Sequence, residues 1–132
     1  TRDRRQRQMC IRDRKKNYPF KKEQSDLDIA LEDKTNDKIY IEILREALHK
    51  LLKSVKPDFI FYLSGVDVLE SDRLGRLSIS IKGCEARDQM VLKYCHDENI
   101  PVQCSMGGGY SKDIKLIIEA HANTYRVAQK IY

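Results

Sequence analysis

Pro57-Asp58-Phe59-Ile60-Phe61-Tyr62-Leu63-Ser64-Gly65-Val66-Asp67-Val68-Leu69-Glu70-Ser71-Asp72-Arg73-Leu74-Gly75-Arg76-Leu77 carries most of the structural information in this chain. Phe59 to Leu63 is an apolar, aromatic run too short for a helix. Pro57 and Ser64-Gly65 bound it, so it reads as a buried strand. Ser64 to Ser80 reads as a long polar loop holding Asp67, Glu70 and Asp72 with Gly65 and Gly75. An aspartate set directly after a buried strand is rigidly placed. Asp67 could serve as a metal ligand, a general base or a loop cap.

Upstream of this stretch, Ile41, Leu44, Leu48, Leu51 and Val55 recur at three- to four-residue steps. That spacing predicts an amphipathic helix, capped by Asp37 and ended by Lys56-Pro57. Before it, Leu27, Ile29 and Leu31 alternate with Asp28 and Ala30, as in a short strand or extended segment. Tyr18-Pro19 marks a bend.

Downstream, a second helix is expected over about Gly83 to Glu98, with Ala86, Met90, Tyr94 and Cys95 inward and Asn99 at its end. Ile100 to Met106 reads as a second strand, broken by Gly107-Gly108-Gly109-Tyr110. Ser111 is the expected cap of a last helix, with Ile114, Ile117, His121, Ala128 and Ile131 on one stripe. Strands alternating with helices imply an α/β class with a parallel sheet. Two strong strands are few for such a sheet, so the chain reads as the C-terminal portion of a larger α/β domain. Its opening on Thr suits that reading.

The chain has 132 residues, 41% hydrophobic and 34% charged, which fits one soluble domain. No apolar run approaches the ~20 residues of a membrane span, and no secretory leader is evident. The expected setting is cytoplasmic, or nuclear in a eukaryote. Net charge is +5, yet residues 1–14 alone hold six Arg and two Asp, so residues 15–132 are nearly neutral. The basic excess therefore reads as a local tail, and a nucleic-acid-binding module is disfavoured. The tail reads either as a disordered arm or, from Met9-Cys10-Ile11-Arg12-Asp13-Arg14, as translated sequencing-adapter sequence with the native frame resuming near Lys15. Cys10, Cys84, Cys95 and Cys104 form no CxxC pair, so a four-cysteine zinc site is unsupported.

In open parallel sheets, ligands bind beyond the carboxyl ends of the strands. Two loops leave those ends, one carrying Asp67 and one carrying Tyr110. If the two strands are neighbours, both residues face one crevice. The triple glycine could approach a phosphate closely or form a tight turn. It lacks the Lys-Ser/Thr of a P-loop and no GxGxxG is present, which weakens a nucleotide-binding reading. Tyr110 could offer its hydroxyl to a developing oxyanion or simply pack.

The quoted stretch, with its Gly-x-Asp and Asp-x-Leu-Gly, resembles the zinc-dependent histone deacetylase superfamily, closest to its class IV-like and bacterial branch. Met106-Gly107-Gly108-Gly109-Tyr110 is similar to that family's Gly-Gly-Tyr turn. Lys16-Asn17-Tyr18-Pro19-Phe20 and Ser25-Asp26-Leu27-Asp28 match its bacterial branch. The resemblance covers about Lys15 to Tyr132. It implies the C-terminal part of an arginase/deacetylase-type three-layer αβα fold and hydrolysis of an acetyl-lysine side chain or an acetylated small amine. It further implies that Asp67 is the third zinc ligand and that Tyr110 hydrogen-bonds the substrate carbonyl. Gly108 and Gly109 would line a narrow acyl channel, and Asp72 would order the loop around Asp67.

A catalytic zinc needs three protein ligands and an open position. The family's Asp-x-His pair and its His-His base pair are not found here. His49, His96 and His121 are isolated; the first two are expected in solvent and His121 as a satisfied packing residue. The chain as given is therefore expected to be inactive, with a catalytically dead deacetylase-like binding protein as the alternative.

Overall fold

A computed structural model describes residues 9–12 and 25–132. Its elements are β1 (Met9–Arg12), β2 (Leu27–Ala30), α1 (Asp37–Ser54), β3 (Ile60–Leu63), α2 (Ile81–Asp97), β4 (Val102–Ser105) and α3 (Ile114–Ile131). β1 pairs with β2 and β3 with β4, both in parallel. The α/β class with parallel strands is as expected. The remainder of the basic tail and the Tyr18-Pro19 bend lie outside the described residues.

β3 and β4 are direct neighbours, with Tyr62 opposite Cys104 and Leu63 opposite Ser105. Ile60 and Tyr62 turn toward the core, but Phe61 and Leu63, expected to be buried, are 67% and 78% exposed. Alternate side chains of a strand point to opposite faces. Only one face of β3 is covered among the described residues. The core gathers Leu31, Tyr40, Leu44, Val66, Leu69, Leu77, Ile79, Cys84, Val91, Cys95 and Ala120.

The Ser64–Ser80 segment is less a polar loop than a part of that core. Val66 and Ile79 are fully buried and Leu69 and Leu77 nearly so. Their spacing follows neither a helical nor a strand period, so periodicity could not reveal them. Short bridges, Leu69 to Ile79 and Asn36 to Ser78, stitch the segment to itself and to the start of α1.

Three helix starts differ from expectation. Asn36, not Asp37, caps α1, its Oδ1 accepting from Ile39 N at 3.2 Å. Both residue types cap well, and Asn36 is the one with extended backbone. Asp37 is freed to accept from Ser80 N (2.8 Å) and Ser80 Oγ (2.6 Å), which ties the start of α1 to the start of α2. Ser80 in turn caps α2 through Gly83 N. α3 is capped by Asp113 rather than Ser111; the Ser111 hydroxyl instead meets that of Ser71 at 2.6 Å.

α2 packs on both α1 and α3, so its buried face is broad: Gly83, Cys84, Arg87, Asp88, Val91, Leu92 and Cys95. Of the expected inward set, Cys95 is buried, Met90 and Tyr94 are half-buried and Ala86 is exposed. The helix ends in a Schellman motif. Asn99 adopts φ 54°, its N–H donating to His96 O while Ile100 N donates to Cys95 O. On α3 the buried stripe is Ala120, Thr124 and Val127, and Ile114 is 66% exposed. No helix of the described residues is long and apolar enough to cross a membrane.

Candidate functional site

The loops leaving β3 and β4 lie side by side, joined by backbone hydrogen bonds. Ser64 N donates to Ser105 O at 2.9 Å, and Val66 N to Gly107 O at 3.0 Å. The Asp67 side chain sits against the glycine turn. A Cβ on Gly108 would come within 2.8 Å of Asp67 Cβ and 2.9 Å of its Cγ. Gly108 also has φ 62°, and Gly109 has φ 106° with Val66 and Ile117 each 2.9 Å from where its Cβ would stand. Both positions thus require glycine twice over, for backbone conformation and for space. The expected adjacency of the Asp67 and Tyr110 loops is present.

Asp72 holds the two loops in register. This buried carboxylate accepts from Leu74 N (2.8 Å) and Gly75 N (2.7 Å) through Oδ1, and from Tyr110 N (2.7 Å) through Oδ2. Arg73 N returns a bond to Tyr110 O at 3.3 Å. Its part is therefore wider than ordering the Asp67 loop: it also fixes the backbone of Tyr110. The Tyr110 side chain is 61% exposed.

One polar assembly beneath the loops was not anticipated. Arg87 and Asp88 are buried, with Arg87 Nε 2.9 Å from Asp88 Oδ1. Asp88 also accepts from the Tyr62 hydroxyl and from Thr124 Oγ1, each at 2.6 Å. Arg87 Nη1 donates to Gly65 O at 2.6 Å. Burial works against the Arg87 charge, but Tyr62 and Asp88 outweigh it, raising its pKa above the ordinary value. Burial likewise raises the Tyr62 phenol well above its usual range. A sequence signal existed: Arg87 and Asp88 fall on the same helical face as Cys84, Val91 and Cys95.

The histidines do not join the site. His49 lines a shallow groove of about 330 Å³ between α1 and α2, with Leu48, Met90 and Tyr94 among its neighbours. His96 is half-exposed beside Asp97 and stacks edge-on against Tyr132. His121 was expected to be satisfied, but its buried Nδ1 has no hydrogen-bond partner among the described residues.

Asp67 offers a hard oxygen ligand, yet no group of three or more His, Cys, Asp or Glu among the described residues is arranged to hold a metal. Catalytic zinc takes three protein ligands, so these residues alone do not make the site that the resemblance implies. Thiols do not supply the deficit: burial pushes Cys84 and Cys95 up to about 11, which keeps them protonated at neutral pH.

Comparison with known proteins agrees with this architecture. A profile of the histone deacetylase domain matches residues 12–125. An uncharacterized protein of Picosynechococcus is 40% identical over 116 residues, covering 88% of this chain and 39% of that protein. Histone deacetylase 2 of Arabidopsis thaliana is 35% identical over 79 residues, covering 60% of this chain and 20% of its own length. The chain thus spans about two fifths or less of these relatives. Among solved structures, a histone deacetylase homologue complexed with SAHA superposes with TM-score 0.66 at 19% identity, covering 86% of this chain and 32% of its own. An acetylpolyamine aminohydrolase from Burkholderia pseudomallei gives 0.62 at 18%, covering 80% and 29%. With an α/β fold of parallel strands, the Asp67 and Tyr110 loops joined at their carboxyl ends, and the domain profile matched over residues 12–125 of this chain, this chain belongs to the histone deacetylase family.

Proposed function

We propose that this chain is the C-terminal portion of a deacetylase that hydrolyses the amide of acetyl-lysine or of an acetylated small amine. In that reaction the oxygen of water bonds to the acetyl carbon, the C–N bond breaks, and the amine leaves with a proton, releasing acetate. The observation that carries the reading is the single unit formed by the Asp67 loop and the Gly107–Tyr110 turn through Asp72. The acetylated-amine substrate class is supported by the acetylpolyamine aminohydrolase and the SAHA-bound homologue.

In this reading Asp67 gives one oxygen ligand to a metal, expected to be zinc, whose other ligands lie outside the described residues. Tyr110 donates its hydroxyl to the substrate carbonyl as negative charge gathers there. Gly108 and Gly109 keep the approach narrow and free of side chains. Residues 15–132 form the catalytic portion, and β1 (Met9–Arg12) ahead of it pairs with β2. The chain by itself is inactive, and Cys84, Cys95 and Cys104, free among the described residues, fit a cytoplasmic setting.

The test is deacetylation of an acetyl-lysine peptide and an acetylated polyamine by the longer protein containing this segment. Turnover is expected there and not from residues 1–132 alone. Asp67→Asn should abolish metal binding and turnover together. A longer protein that binds metal through Asp67 but hydrolyses neither substrate would be a deacetylase-like binding protein. Undiminished turnover in Asp67→Asn would refute the assignment.

A further inference from the structure

Buried ion pairs are weak contributors to stability, because the two charges lose their water. A core that needed only filling would be served by apolar residues at positions 87 and 88. The Arg87–Asp88 pair instead spends most of its contacts on partners that already have defined places. Asp88 bonds Tyr62 on β3 and Thr124 on α3. Arg87 Nη2 is buried 2.9 Å from Asp88 Oδ1, without hydrogen-bonding geometry to any described acceptor. Nη1 reaches beyond the pair to Gly65 O, while the guanidinium also lies beside the Tyr62 ring and interacts with the Tyr40 hydroxyl.

That carbonyl belongs to the same peptide group as Val66 N. Its oxygen is held from α2 by Arg87, and its N–H is held from the β4 turn by Gly107 O. The plane between Gly65 and Val66 is thereby fixed at both ends. Without the Arg87 bond, glycine's freedom would leave Gly65 able to rotate. Such a rotation would swing the chain entering Asp67, whose Oδ1 stands 3.1 Å from where a Gly65 Cβ would be.

We infer that Arg87 is a positioning residue: its guanidinium locks the Gly65–Val66 peptide plane and so aims the Asp67 carboxylate. The role rests on the proposed function only in naming Asp67 as the residue whose aim matters. Asp88 keeps the guanidinium charged and oriented, and Tyr62 and Thr124 hold Asp88 in turn. The arrangement runs from α3 through α2 to the loop after β3.

Amide hydrogen exchange at Val66 in the full protein, without metal or substrate, tests this. Arg87→Lys keeps a charge beside Asp88 but lacks the fork that reaches Gly65. Thr124→Val damages the same network at its far end. After allowance for global stability, Arg87→Lys should speed Val66 exchange by about tenfold or more, and Thr124→Val should not. Should Arg87→Lys fail to fold, the double variant Arg87→Met with Asp88→Leu removes both charges together. It should still fold, with a lowered melting temperature because the Tyr62 and Thr124 hydroxyls lose their acceptor, and Val66 should exchange faster after allowance for that loss. Equal Val66 protection in Arg87→Lys and Thr124→Val, or full protection in the double variant, would overturn the inference. Loss of turnover in Asp67→Asn has no bearing on this exchange, so failure of the deacetylase reading would be seen separately.

Discussion

The turns that follow β3 and β4 are built in opposite ways. The first is anchored by its own side chains: Val66 and Leu69 are buried, and the Asp72 carboxylate gathers three backbone N–H groups. The second, Gly107 to Tyr110, buries no side chain of its own. It is held by what the first turn offers: the Val66 N–H on Gly107 O, the Asp72 carboxylate on Tyr110 N, and the Asp67 side chain against Gly108. The β3 loop is the scaffold and the β4 turn rests on it. Damage to the first should therefore reach Tyr110, whereas changes to the exposed parts of the second should stay local.

The largest effect expected is kinetic and confined to the second turn. In the longer protein, Tyr110→Phe should lower kcat by about 10²–10³, the usual loss for one oxyanion donor. Its melting temperature should not move, because the ring is mostly exposed. Wild-type turnover in this variant, read by acetate release, would remove Tyr110 from the reaction.

Asp72→Ala strikes the scaffold and should cost about 3 kcal/mol of stability, because it strands buried donors in both turns. Denaturant unfolding reads this directly, and a loss under about 1 kcal/mol would mean that water replaces the carboxylate without penalty. Within the glycine turn, Gly109→Ala should cost about 2 kcal/mol, from its positive φ and from the collision with Val66 and Ile117. Gly107→Ala meets only open space, with its nearest neighbour at 4.0 Å, and should stay within about 0.5 kcal/mol. Equal costs at the two positions would contradict the view that contact with the first turn sets the second.

The smallest effect concerns the core beneath both turns. Burial raises the Cys84 and Cys95 thiols from an ordinary 9.0 to about 11 in the folded chain. The unfolded chain loses these protons first, so stability should be intact below pH 9 and decline between pH 9 and 11. A pH series of unfolding curves checks the sign; stability rising across that window would contradict it.

Much of this was readable from residue order. Helix, strand, loop, helix, strand, glycine turn and helix follow one another as the apolar spacing implies, and the boundaries move by a few residues. The parts that were not readable share a cause: they depend on which partner a polar group finds in three dimensions. Asn36 and Asp37 are both good caps, and only the position of Ser80 decides that Asp37 turns toward α2. Arg87 and Asp88 share a helical face with Cys84, Val91 and Cys95, but only the closing of α3 and β3 over them decides which partners they find. Phe61 and Leu63 look buried because apolar strands usually are, but one face of the β3–β4 pair is bare among the described residues. Asp67 and Tyr110 stood out because each lies in the loop that leaves a strand's carboxyl end, where topology does most of the placing. The role of Asp72 in holding Tyr110 spans 38 residues of sequence, and no local pattern announces it.

Amide hydrogen exchange at Tyr110 in Asp72→Asn is the most direct test of one turn resting on the other. The asparagine keeps one acceptor oxygen, enough for the Leu74 and Gly75 N–H groups, but its amide nitrogen cannot accept from Tyr110 N. The account predicts that Tyr110 exchanges markedly faster while Leu74 and Gly75 stay protected. Unchanged protection at Tyr110 in a folded Asp72→Asn protein would contradict it, and the two turns would then be independently built.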